Sequence, residues 1–205
     1  MSDTEVDAAA GAPVIVLGAG HGTRLGGPKL FARHGGRTFG ERILERCRET
    51  GARVILVSDP RFRARLEALL AELPAPLPRV VEADGTQPML CSLRAGLRAG
   101  PCEPGFWLWP ADAPFISPQG WRRAVAAAAG EPAAVWKLRA GGRSGHPIWM
   151  PAGLVPAILA GQWSDGLRGL LRQIPPGQIR VLELEGEFLE DIDTPEQLAK
   201  LDDSI

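Results

Sequence analysis

Apolar positions along the chain alternate between two patterns. Short continuous runs recur: Val14–Leu17, "RVILVS", "PRVVEA" and "GFWLW". Each is bounded by glycine, proline or charge, as expected of strands buried on both faces of a parallel sheet. Between them lie stretches with apolar residues three and four apart. "TFGERILERCRET" predicts a helix ended by Gly51. "DPRFRARLEALLAEL" predicts another, with Asp59 as N-cap, Pro60 at the first helical position, and Phe62, Leu66, Leu69, Leu70 and Leu73 on one face. Leu90, Leu93 and Leu97 mark a helix in "QPMLCSLRAGLRA", and "SPQGWRRAVAAAA" opens with a cap and a proline. The second half predicts strands "AAVWKL" and "HPIWMP" joined by a glycine-rich "RAGGRSG". Two helices follow ("GLVPAILAG" and "SDGLRGLLRQI"), then a strand "IRVLEL" and a last helix "TPEQLAKL". This alternation predicts an α/β, three-layer Rossmann-like fold with a mostly parallel mixed sheet. No repeat or linker divides it, so residues 13–205 are expected to form a single domain behind a flexible tail, residues 1–12.

Composition adds limits. Apolar residues make up 45% of the 205, enough for a full core, and the formal net charge of −1 gives no reason to expect nucleic acid or membrane as a partner. No apolar run is long enough to cross a bilayer. "MSDTEVDAAAGAP" has neither a basic start nor an apolar stretch, so it is not a secretion signal. Three cysteines without CxxC spacing suit reduced thiols and a cytoplasmic location. Arginines crowd the first part of the chain and carboxylates the end. Most of these are expected to be solvated faces, although folding can set such regions on opposite walls of a cleft.

The stretch "VIVLGAGHGTRLGGPKLF", Val14 to Phe31, concentrates the chemistry. A strand that opens into a glycine loop exposes backbone N–H groups to an anion. The GxGxxG register fails at Thr23 and at Leu25, and the Walker register fails at Pro28 and at Leu30. What remains is a glycine loop carrying Arg24 and Lys29, suited to a polyphosphate. A surface turn with incidental cations is the alternative, in which Lys29 is an exposed loop residue.

"LGAGHGTRLGGPKL" resembles the LxxGxGxRxGxxKxL signature of MobA-like nucleotidyltransferases. "SLRAGL", "PADAPFI", "GHPIWM", "GLRGLL" and "DIDTPEQL" resemble, in order, segments of molybdenum cofactor cytidylyltransferases. The resemblance implies a GT-A-like nucleotide fold. It also implies magnesium-dependent transfer of a nucleoside monophosphate, CMP from CTP, onto the terminal phosphate of molybdenum-molybdopterin, with release of pyrophosphate. Leu17, Gly18, Ala19, Gly20, Gly22 and Ser92 are then expected at the nucleotide, Arg24 and Lys29 at its triphosphate. Gly145, His146 and Pro147 fall on the acceptor side, His146 being equally suited to a structural turn.

Magnesium takes one or two carboxylates besides phosphate oxygens and waters. Asp112 follows the strand "FWLW", where open α/β sheets bind ligands, and is expected to hold the metal and act in catalysis. The second carboxylate is Asp193 or Asp191; Asp193 also suits the N-cap of the last helix, with Glu196 near a capping-box position. Six tryptophans could stack a pterin, but most are expected in the core. The product of such an enzyme passes to a molybdoenzyme or its chaperone by transient contact. Rival readings are a non-catalytic nucleotide- or cofactor-binding chaperone of the same fold, a GTP-using or sugar-phosphate nucleotidyltransferase, and a glycosyltransferase. The last usually carries a DxD-type pair where "PADAP" has one acid.

Overall fold

The computed structural model describes residues 11–163 and 165–201. The expected tail therefore lies almost wholly outside the described residues; Ala12, its last member, is buried. The strands are β1 (Pro13–Leu17), β2 (Arg33–His34), β3 (Arg37–Thr38), β4 (Arg53–Ser58), β5 (Arg79–Glu82), β6 (Gly105–Pro110), β7 (Val135–Ala140), β8 (Arg143–Pro151) and β9 (Ile179–Glu183). The helices are α1 (Phe39–Glu49), α2 (Arg63–Ala71), α3 (Met89–Arg98), α4 (Pro118–Gly130), α5 (Val155–Ala160), α6 (Leu167–Gln173) and α7 (Pro195–Ala199). Seven strands form one sheet in the order β5-β4-β1-β6-β8-β7-β9, and β2 pairs with β3 separately. Only β8 runs against its neighbours, so the sheet is mixed and mostly parallel.

Alternation along β1 explains the three layers. Val14 and Val16 face a core built with Ile43, Leu44, Leu66, Leu69 and Trp121 of α1, α2 and α4. Ile15 and Leu17 face Leu93 and Leu97 of α3, Ile158 of α5 and Leu170 of α6. Successive strand side chains point to opposite faces, so a five-residue apolar run serves two cores at once. On the second face α3 comes close to the sheet: a Cβ on Gly96 would lie 2.6 Å from Ile15 Cγ2.

Four of the six tryptophans are core residues. Trp107, Trp109, Trp121 and Trp149 are buried and in mutual ring contact, with centroids 4.9 to 5.6 Å apart. Trp109 Nε1 donates to the Ala113 carbonyl at 2.8 Å, fixing the loop that carries Asp112.

Two local expectations need correction. "RAGGRSG" is no long loop, because β7 and β8 run through most of it. Gly141 and Gly142, at φ 54° and 78°, make the turn alone, in the left-handed region glycine tolerates. Asp59 caps as expected, accepting from the Arg61 N–H, but Pro60–Phe62 form a 3-10 turn and α2 begins only at Arg63. The β2–β3 hairpin is too short to leave any hydrophobic period.

Candidate active site

The glycine loop leaves β1 at its carboxyl end. Gly18 N–H donates to Val57 O at 2.8 Å and Ala111 N–H to Leu17 O at 3.1 Å, so the ends of β4, β1 and β6 are tied together. The loop folds back on itself: Leu25 and Gly27 both donate to the Gly22 carbonyl, at 2.9 and 3.1 Å. Gly22 sits at φ 57°, and a Cβ there would lie 2.0 Å from Gly27 O, so the position requires glycine. Leu30, fully buried, anchors the far side and sets Lys29 beside it.

Lys29 is not an exposed loop cation. Its side chain is 18% exposed, and its ammonium lies 2.9 Å from Asp112 Oδ2 and 2.5 Å from Asp193 Oδ1. Burial pulls its pKa down, but the two carboxylates outweigh burial and raise it. The hydrogen bond from Lys29 likewise lowers the pKa of Asp193. Arg24, on the rim, reaches Asp193 at 3.3 Å.

Asp193 is available because it is not the N-cap. Thr194 caps α7, and its capping-box partner is Gln197 rather than Glu196. Gln197 Oε1 accepts from the backbone N–H groups of Asp193 and Thr194, leaving the Asp193 carboxylate to Lys29. Ile192 N–H donates to Asp112 O at 2.8 Å, drawing the end of the chain against the loop after β6. Asp191 is exposed, yet desolvation by the surrounding cleft together with Asp112 pushes its carboxyl up to about 6.

Two cavities meet at Asp112. One of about 230 Å³ is lined by Leu17, Gly18, Ala19, Gly20 and Gly22, with Lys29, Ser92 and Asp112 completing it. The other, about 570 Å³, takes Asp112, Gly145, His146 and Asp191 among its walls. Pro147 does not line this cavity. It belongs to a bulge: the β7–β8 register steps from Lys137–Ile148 to Leu138–Gly145, leaving His146 and Pro147 without partners across the ladder. Burial lowers the His146 pKa, and its Nδ1 is buried with no hydrogen-bond partner. Asp112 Oδ1 is likewise buried and unpartnered. A third cavity, of about 350 Å³, opens at the other end of the strands between Arg53, Leu77 and Arg79 and shares no residue with these two.

Beside the smaller cavity lies a network that sequence reasoning missed. The Asp59 side chain is fully buried. Its Oδ1 accepts from Arg61 N and Nε, both at 2.9 Å, and its Oδ2 from Arg61 Nη2 at 2.6 Å and Gly85 N at 2.8 Å. His21, inside the glycine loop, sits 3.2 Å from the same oxygen. The Arg61 guanidinium holds the Asp59 carboxyl well below the usual carboxylate range. Gly85 runs so close to the loop that a Cβ would lie 1.9 Å from Ala19 O. The signal present in the sequence was Asp59 itself, at the carboxyl end of β4, where its capping role hid the second one.

Residues 14–179 match the sequence profile of the MobA-like NTP transferase domain. The chain belongs to that family. No curated protein sequence matches this MobA-like domain. Among solved structures it is similar to Rv0371c from Mycobacterium tuberculosis H37Rv, at 23% identity over 95% of this chain and 100% of that one, with a TM-score of 0.79. The manganese complex of Rv0371c aligns with a TM-score of 0.73, at 23% identity over 94% and 98% of the two chains. The 4-diphosphocytidyl-2C-methyl-D-erythritol synthase of Anaerococcus prevotii aligns over 97% of each chain at 15% identity, with a TM-score of 0.74. These likenesses establish the shared fold. In this MobA-like domain, Asp191 and Asp193 lie beyond the matched residues, yet the fold returns them to Asp112. Among the described residues no group of three or more His, Cys, Asp or Glu side chains is placed to hold a metal ion. The protein offers carboxylates around one ammonium, an arrangement that leaves phosphate oxygens and water to complete a hard cation's shell.

Proposed function

We infer that this MobA-like transferase is a magnesium-dependent cytidylyltransferase, moving CMP from CTP onto a phosphorylated acceptor, molybdenum-molybdopterin, with release of pyrophosphate. The observation that carries the reading is Asp112 at the junction of the two cavities, joined through Lys29 to Asp193. The nucleotide lies along Leu17–Gly20, Gly22 and Ser92, and Arg24 and Lys29 hold its triphosphate. Gly145 and His146 face the acceptor, and Pro147 shapes the bulge that presents them.

Asp112 and Asp193 hold the metal, with Asp191 the alternative second ligand. The unpartnered Asp112 Oδ1 and the carboxylate pair already gathered about a cation fit a divalent ion. The manganese complex of Rv0371c supports the same expectation. When bound, magnesium neutralises charge between two anions that otherwise repel. The chain's own part is positioning. An oxygen of the acceptor phosphate attacks the α-phosphorus in line, a new P–O bond forms, and the bond to the β-phosphate oxygen breaks. Arg24 and Lys29 stabilise the charge that grows on the departing pyrophosphate.

CTP is favoured by the GHP and DIDTP segments and by a cytidyl-named structural neighbour. No helix among the described residues is long and apolar enough to cross a membrane, and we place the enzyme in the cytoplasm, handing product to a molybdoenzyme or its chaperone. Pyrophosphate release with four triphosphates against nucleotide-free molybdenum cofactor tests the reading. CTP is expected to be the substrate. A preference for GTP moves the protein to the guanylyltransferase branch. Nucleotide binding without release from any triphosphate makes it a binding protein.

A further inference from the structure

The larger cavity contains two cations that the fold leaves unused. Lys137, on β7, and Arg168, on α6, both line it, together with Asp112. Neither side chain makes a hydrogen bond, ion pair or ring contact with a described residue. Of the nearby carboxylates, Asp191 shares the cavity without an ion pair, while two others are engaged outside it. Asp165 pairs with Arg172 at 2.5 Å, and Glu190 with Arg143 at 2.5 Å. Arg168 is close enough to Asp191 and His146 to influence both electrostatically, yet it stands outside ion-pair distance of Asp191. Lys137 sits at the step of the β7–β8 bulge, and bulges re-aim side chains beside sites.

The apolar part of the wall includes Pro88, Met89, Ile148, Leu167 and Leu171; Ser144, His146, Asp165 and Asp191 line it too. A cavity of about 570 Å³ is within the range that encloses a small organic molecule. Two unpaired cations beside these apolar side chains suit a ligand with an anionic head and a flat or apolar body. Arginine adds a planar fork that matches phosphate, and lysine adds a compact charge. We propose that Lys137 and Arg168 grip the phosphate of the acceptor, a phosphate monoester with a ring-bearing body, and hold it facing Asp112. The proposal rests on the larger cavity being the acceptor side. It adds to the GHP segment the two residues that bind the attacking group.

Phenyl phosphate, a dianion on a planar ring, is the probe. Isothermal titration into the full-length chain is expected to show binding that Lys137→Met and Arg168→Met each weaken tenfold or more, and that the double variant loses. Arg98→Met, away from the cavity, is expected to bind as the parent does. Equal affinity in the double variant overturns the proposal, as does failure of the parent chain to bind. A second titration, of CTP with magnesium, separates the two anions. The double variant should keep CTP affinity within twofold. A tenfold loss there means that the pair grips the donor's triphosphate, and the proposal falls. Pyrophosphate release is read separately. A parent chain that binds phenyl phosphate through this pair but transfers no nucleotide leaves the grip standing and removes the cytidylyltransferase reading.

Discussion

The two cavities that meet at Asp112 are built differently. The wall of the smaller one is largely one segment, Leu17 to Leu30, completed by Gly85, Ser92 and Asp112. The segment is tied down by its own hydrogen bonds: Gly18 to Val57, Gly27 to Gly22, His21 to the buried Asp59. The wall of the larger one is collected from β7, the β8 bulge, the N-terminal end of α6 and the strand-free segment before α7. There the polar groups are open: Lys137, Arg168 and His146 Nδ1 lack partners. Of these only His146 Nδ1 is buried. A buried polar atom left unpaired is costly, and a ligand that pairs it recovers that cost, while the exposed Arg168 and half-buried Lys137 are simply available. The contrast suits a donor side that is preorganised and an acceptor side completed by its ligand.

Asp112 belongs to both sides, so its loss has the largest expected effect. Asp112→Asn keeps the shape and removes the charge, and should lower transfer on the order of a thousandfold. Pyrophosphate release checks this, with circular dichroism to show that the fold persists. Near-normal turnover at saturating magnesium would mean that the cavities do not act as one site.

Lys29→Met comes next. It keeps the apolar stem and removes the charge facing the triphosphate, a loss of roughly 3–4 kcal/mol, or about a hundredfold to a thousandfold in rate. The variant also leaves Asp112 and Asp193 facing each other without the ammonium between them. Its melting temperature should fall in chelator and recover in part with magnesium. Equal melting in both buffers would separate Lys29 from the metal site.

Two glycines divide the comparison more finely. A Cβ on Gly85 would lie 1.9 Å from Ala19 O, and one on Gly145 would lie 2.0 Å from Leu189 O. Both neighbours are backbone, so the chain itself must shift, at a cost of about 1–3 kcal/mol. Gly85→Ala should weaken CTP about tenfold to a hundredfold and leave phenyl phosphate alone; Gly145→Ala should do the reverse. Titration of both ligands into both variants checks it. If each variant weakens both ligands alike, the walls are mechanically one.

Legibility followed the same division. The donor loop could be read from a line of sequence, because its cause is local: glycines, two cations and a preceding strand. The alternation of β1 between two cores was equally local. The acceptor wall was legible only through family likeness, since Lys137 and Arg168 lie in ordinary strand and helix patterns. The role proposed for them rests on the partners they lack. The cap that Asp193 also suits by sequence belongs to Thr194, because Thr194 and Gln197 offer the same chemistry one residue later. The sequence places Lys29 in the phosphate loop but does not show its enclosure, because nothing local predicts the distant Asp112 and Asp193 on either side of it. Asp59 was recognised in one role and not the other, because its further partners His21 and Gly85 are far along the chain.

The smallest expected effect tests whether that Asp59 network is what makes the donor side rigid. Its carboxyl is held below the usual range chiefly by the Arg61 guanidinium, against the opposing effect of burial, with the Arg61 and Gly85 backbone N–H groups helping. The folded state therefore keeps Asp59 ionised at a pH where the unfolded chain has begun to take up a proton. Stability from this group is complete above the ordinary carboxylate value of 3.8 and is lost as pH falls toward the lower folded value. Asp59→Asn removes that linkage. At neutral pH the variant should melt lower by about 3 °C, a modest loss for a chain of this size. Between roughly pH 5 and pH 3 its melting temperature should fall less steeply than that of the parent chain. The same variant should bind CTP more weakly, because Gly85 and His21 lose the oxygens that hold them against the loop. A variant with lower stability and unchanged CTP affinity would show that the network supports the fold without shaping the donor cavity, and the contrast between a preorganised and a ligand-completed wall would then rest on the glycine loop alone.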